Sequence, residues 1–162
     1  HLGGSGRELC WFPEPVGARD CYRAELPDPV ILHDAWPDVA RISARVSATR
    51  RDRFTARLPM LSPPHAEGGI GALRVEARGA DASGARVTEI MGIAELMGTA
   101  TAAVAASFVE YLATGDAPTG VITAADEALP SRRLLAGVTR RGVRLQAFTG
   151  IPHTLAAGTV GG

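Results

Sequence analysis

His65 and Glu67 stand two residues apart in "PPHAEGGIGALRVEARG", which runs from Pro63 to Gly79. An imidazole beside a carboxylate is suited to general acid–base work or to a metal site. An H-x-E pair also occurs in zinc deaminases, where a later P-C-x-x-C supplies further ligands. No such segment follows here. Cys10, Cys21, His33, His65 and His153 are too scattered for zinc-site spacing. Two prolines stiffen the loop and its glycines let a ligand approach the backbone. His65 and Glu67 are therefore read as solvent-facing turn residues or as substrate contacts.

Gly69 and Gly71 begin a G-x-G pattern, but the third glycine position holds Arg74. A dinucleotide loop must also leave a strand and open a helix, so that a pyrophosphate meets free N–H groups. This run precedes a strand. It reads as a rigid turn, a glycine hinge and the first arm of a hairpin.

Two further groups have the chemistry to hold an anion. "RRDRFTAR" is a solvated cationic face or a phosphate or carboxylate site, and Arg57 is its member nearest the His65 loop. "MGTAT" opens a helix at Gly98 and Thr99. Free N–H groups there can hold an anion, or Thr99 simply caps the helix. The candidate substrate contacts are thus Arg57, His65, Glu67, Gly98 and Thr99. No catalytic, metal or cofactor-binding residue is assigned.

Composition narrows the function classes. The chain has 162 residues, 46% of them hydrophobic and only 5% aromatic, so a core must come mainly from Ala, Val, Leu and Ile. Formal net charge is zero, which argues against a nucleic-acid binder. All 17 basic residues are arginine, a skew that suggests GC-rich bacterial coding and leaves no lysine for Schiff-base chemistry. Cys10 and Cys21, with no secretory signal, read as reduced cytosolic thiols. No apolar run approaches the length of a membrane helix, about 20 residues. The chain starts at His1, and "HLGGSG" reads as a tag scar or a cut point, so the expectation is a piece of a longer protein.

These side chains must be carried by a small set of elements. Residues 1–10 are expected to be disordered, 11–150 to form one domain and 151–162 to be a loose tail. A short strand is expected around Asp20 to Leu26. Ala40–Ala48 alternates as a half-buried strand with Ile42, Ala44, Val46 and Ala48 on one side. A short helix or loop follows and ends near Pro59. The hairpin has Leu73, Val75 and Ala77 opposite Arg74, Glu76 and Arg78, a "GADASG" tip, and a second arm from Ala85 to Ala94. "GTATAAVAASFVEYLATG" predicts a helix with Val104, Phe108 and Leu112 recurring every four residues and Gly115 as its left-handed stop. "PSRRLLAGVTRRG" predicts another, with Leu134, Leu135 and Val138 buried, Arg140 and Arg141 in the last turn, and Gly142 as cap. "VRLQAF" is a last strand. This order predicts an α+β fold: a mostly antiparallel mixed sheet with helices on one face.

In combination, these segments resemble the saccharopine dehydrogenase-like oxidoreductase family. "WFPEPVGARDCYRAELPD" resembles the stretch leaving that family's nucleotide domain, with its Phe-Pro-(Glu/Asp)-Pro turn. "EIMGIAELMGTATAAVAASFVEYLATGDAPTGVITAADEALPSRRLLAGVTRRGV" resembles its C-terminal stretch. Gly98, Thr99, Ala102, Gly115, Gly120, Val121, Glu127, Leu135, Arg141, Gly142 and Val143 carry the match, which spans Trp11 to Phe148. It departs at "ITAADE", where the family more often has a proline before the glutamate. The resemblance implies a second, α+β domain like that of glyceraldehyde-3-phosphate dehydrogenase-like proteins. In the family, such a domain helps form the substrate cleft and the subunit contact. It also implies NAD(P) held by an N-terminal Rossmann domain that this chain lacks, and hydride transfer at a C–N bond of an amino-acid-like substrate. The resulting expectation is the substrate-facing half of a cytoplasmic, dimeric oxidoreductase, inactive by itself. The alternative is a free-standing, non-enzymatic α+β binding or interaction module.

Overall fold

A computed structural model describes residues 3–49 and 69–147 of the chain. Its strands are β1 (Glu8–Trp11), β2 (Ala18–Arg23), β3 (Arg45–Ser47), β4 (Ile70–Ala80), β5 (Arg86–Leu96) and β6 (Gln146–Ala147). Its helices are α1 (Asp28–Ala35), α2 (Met97–Ala113) and α3 (Ser131–Arg140). The fold is α+β. The strands form two antiparallel three-stranded sheets, ordered β1-β2-β3 and β4-β5-β6. The chain divides into two compact units. One comprises residues 3–11, 18–49 and 118–129; the other comprises 12–17, 69–117 and 130–147.

In the first unit, Cys21 is almost fully buried and Cys10 nearly so. Glu8 faces Cys21 and Cys10 faces Arg19, so the two cysteines are diagonal neighbours on one face of the sheet. Arg45 ties β3 to the start of β1, pairing with Glu8 at 2.7 Å and donating to the Gly6 carbonyl at 2.5 Å. Glu8–Cys10 lies in the stretch expected to be disordered, yet it pairs in register with β2. The strand expected over Ala40–Ala48 shrinks to three residues. Its faces are also reversed: the Arg45 side chain is 18% exposed, whereas Val46 is 48% exposed. The ion pair and carbonyl contact satisfy Arg45 against the sheet, and this outweighs simple alternation. Helix α1 buries none of its residues.

The second unit is built on the β4–β5 hairpin, paired without interruption from Ile70↔Leu96 to Ala80↔Arg86. Asp81 closes the turn: its carboxylate accepts from the backbone N–H groups of Ser83 and Ala85 and from the Ser83 hydroxyl. Helix α2 leaves β5 without a linker and packs on α3. The shared core is Ala100, Ala103, Val138 and Val143, with Ile93 of β5 against it. The faces expected to be buried need correction. On α2 the buried residues are Ala100, Ala103, Ser107 and Tyr111, while Val104 and Leu112 are 43% and 60% exposed. On α3, Gly137 takes the place expected for Leu135. A Cβ on Gly137 would lie 2.8 Å from Ser107 Oγ, so the helices meet more closely than large side chains permit. Gly115 and Gly142 follow the two helices with φ of +77° and +92°, as their sequence positions predict.

Candidate functional site

Of the five candidate contacts, Arg57, His65 and Glu67 lie outside the described residues. Gly98 and Thr99 lie in the first turn of α2 and are exposed. The expected capping role for Thr99 is corrected. Leu96 is the N-cap residue, with strand-like backbone angles, and no side chain caps the helix. The helix starts before Thr99 because Met97 seats its side chain over Gly71 of β4. A Cβ on Gly71 would stand 2.7 Å from Met97 Cγ. The second glycine of the G-x-G pattern therefore makes room for a side chain.

The surroundings of this helix start limit its chemistry. Its first turn carries no acidic residue. Glu95 accepts a hydrogen bond from the Leu96 N–H at 3.0 Å through its own carboxylate. A carboxylate therefore already occupies the position just ahead of the first turn. The first-turn amides point along an exposed helix end, where the backbone dipole favours a carboxylate or phosphate oxygen. Among the described residues outside its own turn, no atom lies within 4 Å of a Cβ placed on Gly98, which leaves the backbone open there.

A second polar cluster lies where α2 crosses α3. The Arg141 guanidinium donates to the Gly137 carbonyl at 2.9 Å, to Ser107 Oγ at 3.3 Å and to Glu110 Oε2 at 2.9 Å. Arg140 approaches the same Glu110 oxygen at 3.7 Å. Hydrogen bonding from Arg141, with its charge, holds the Glu110 carboxyl below its ordinary range. Arg133 lies 5.8 Å from the centroid of the Tyr111 ring and 3.7 Å from Asp116. A shallow depression lies among Ser107, Glu110, Tyr111, Arg133 and Arg140. Each of these arginines is engaged by a carboxylate or a carbonyl. The arrangement clamps α2 to α3 and leaves little cationic character for a ligand.

The sequence reading missed a third cluster, on β4. Arg74 pairs with Glu76 at 2.5 Å, and Arg78 pairs with the same carboxylate. The side chains of Arg74 and Glu76 are only 19% and 16% exposed. Burial pushes the Glu76 carboxyl up, but the two arginine hydrogen bonds and their charges outweigh it and hold it below its usual range. Gly92, which pairs with Arg74, lies against Pro13 of the "WFPEP" turn. The sequence signal was the alternation Arg74, Glu76, Arg78, which reads by default as a solvated face.

Among the described residues, no three or more His, Cys, Asp or Glu side chains gather as a metal site. No described helix is long and apolar enough to cross a membrane. No family model, curated protein or solved structure matches the chain.

Proposed function

We propose that this chain is the substrate-facing and dimerising domain of a saccharopine dehydrogenase-like NAD(P)-dependent oxidoreductase. One observation supports the reading: the resemblance-bearing residues run in order from the start of an Ala-rich helix, which follows a strand and is ended by Gly115, to a second helix ended by Arg141-Gly142-Val143. The substrate class is amino-acid-like. The exposed first turn of α2 at Gly98 and Thr99 is the described element that would receive its carboxylate. Arg57, His65 and Glu67 would supply further polar contacts. The setting is the cytoplasm of a bacterium, and the working unit is a homodimer.

Among the described residues no glycine loop fits the nicotinamide cofactor. The only G-x-G of the hairpin region leads into β4, and its Gly71 is taken up by Met97. On this reading the cofactor would be held by a separate Rossmann domain of the parent protein. This domain's part in catalysis would be to orient the substrate and keep water from the reacting carbon. Calorimetric titration of NADPH into the chain should give no binding. Micromolar binding would overturn the division of labour. In the parent enzyme, Thr99→Pro together with Gly98→Val should raise KM for the amino-acid-like substrate more than it lowers kcat. An unchanged KM would remove the helix start from the site.

A non-enzymatic interaction module is the second reading, and the exposed apolar side of β4 favours it. Leu73 and Val75 are 56% and 59% exposed there. A parent coding sequence without an upstream strand and glycine loop would select this reading over the first.

A further inference from the structure

We propose that β4 is a self-complementary edge through which two copies of the chain join their hairpin sheets. The proposal rests on the homodimer of the functional reading and deepens it, because it names the strand, the register and the charges of the contact.

Strand β4 is eleven residues long and pairs along its whole length with β5. Among the described residues no strand pairs with its other side, since the sheet order is β4-β5-β6. A long edge presents a row of backbone donors and acceptors, and proteins ordinarily blunt such edges with proline, bulges or inward-pointing charge. Strand β4 contains no proline, its ladder to β5 runs without a bulge, and its half-buried charges Arg74 and Glu76 offset each other as an ion pair. Its apolar side chains Leu73 and Val75 lie more than half exposed on one face.

The sequence "IGALRVEARGA" identifies a second copy as the occupant. Place two β4 strands antiparallel about a twofold axis at Val75. Val75 then faces Val75, Leu73 faces Ala77, and Gly71 faces Gly79. On the opposite face Arg74 meets Glu76 of the second copy, and Glu76 meets its Arg74. Each copy already holds Arg74 against Glu76 at 2.5 Å, so the four charges would alternate in sign around the axis. A shift of one residue would bring mismatched faces together and a shift of two would set like charges opposite, so pattern and charge select one register. The product is a continuous six-stranded antiparallel sheet with Leu73 and Val75 of both copies as its central apolar strip.

The test is sedimentation equilibrium of the full chain at neutral pH and low salt. The wild type should be a dimer at micromolar concentration. Arg74→Glu alone, or Glu76→Arg alone, sets two like-charge pairs across the axis and should weaken dimerisation about tenfold or more. Mixing those two variants should restore the dimer as a heterodimer. Neither variant regains its internal pair, so only pairing between chains can explain the rescue. Val75→Cys should give a dimer that is covalent without reductant. A monomeric wild type, single swaps that leave the dimer intact, or a mixture that stays monomeric would each overturn the proposal. Slow exchange in a monomer of the alternate β4 amides that point away from β5 would mean that another part of the chain covers the edge, which also overturns it. A dimer that the charge swaps leave intact overturns the β4 edge and leaves the homodimer of the functional reading standing, whereas a monomeric wild type overturns both.

Discussion

The two flanks of the β4–β5 hairpin handle apolar residues in opposite ways. On the α2–α3 flank Ala100, Ala103, Gly137, Val138 and Val143 are buried, together with Leu134 and Tyr111. On the β4 flank Ile70, Leu73 and Val75 are more than half exposed. What separates the flanks is cover, not side-chain size. The close approach of α2 and α3 at Gly137 seals one flank, whereas the apolar groups of β4 face a surface that the described residues do not cover.

The strongest way to break this contrast is at its tightest contact. Gly137→Leu forces a branched side chain into the space of Ser107 and should cost about 3 kcal/mol of unfolding free energy by chemical denaturation. A loss below about 1 kcal/mol would mean that the helices do not meet as closely as described. Val143→Ala comes next. Val143 is 1% exposed, and the cavity left behind should cost about 2 kcal/mol in the same assay. Leu73→Ser serves as the counterpart on the open flank. At concentrations low enough for monomer, it should change stability by less than about 0.5 kcal/mol.

A third region adds a pH-dependent contrast. Burial pushes the Cys21 thiol up to about 12, with its hydrogen bond to Cys10 adding to the effect. A thiol whose pKa is higher folded than unfolded stabilises the fold while it stays protonated. That contribution is complete below about pH 9 and is lost as pH rises from there through about 12. An alkaline titration followed by circular dichroism should lose the first unit's sheet in this window. At pH 8, Cys21 should react with maleimide at least about a hundredfold slower than in the unfolded chain. The smallest effect belongs to Glu110→Gln. Its partners Arg140 and Arg141 are solvent-accessible, so the loss should be slight and should vanish in high salt.

How much of this was legible in the sequence varied with the physics of each element. The hairpin and both helix stops were readable because "GADASG", Gly115 and Gly142 impose backbone geometry locally. The buried face of α2 was misread. Val104, Phe108 and Leu112 have the right spacing and hydrophobicity, but close helix packing selected the neighbouring stripe of alanine, serine and tyrosine. Periodicity identifies a helix without choosing among apolar faces when nearly all faces are apolar. On β3, Arg45 lies against the sheet and Val46 faces outward because a specific carboxylate and carbonyl await the guanidinium. Partners brought from distant positions are invisible to a local pattern. Of the candidate site, only the α2 start falls within the described residues. There the sequence located the exposed amides but not the residue that begins the helix.

The route of the chain between α2 and α3 has a consequence for how the protein is made. Residues 118–129, which join the two helices, belong to the first unit, while both helices belong to the second. On the ribosome, β4, β5 and α2 emerge before α3, so the alanines at 100 and 103 have no helical partner until the linking residues and α3 have followed. The nascent hairpin must remain soluble through that interval. A stop codon just after Ala117 should therefore yield a sticky, chaperone-bound product, even though it retains the longest strands and the longest helix of the fold.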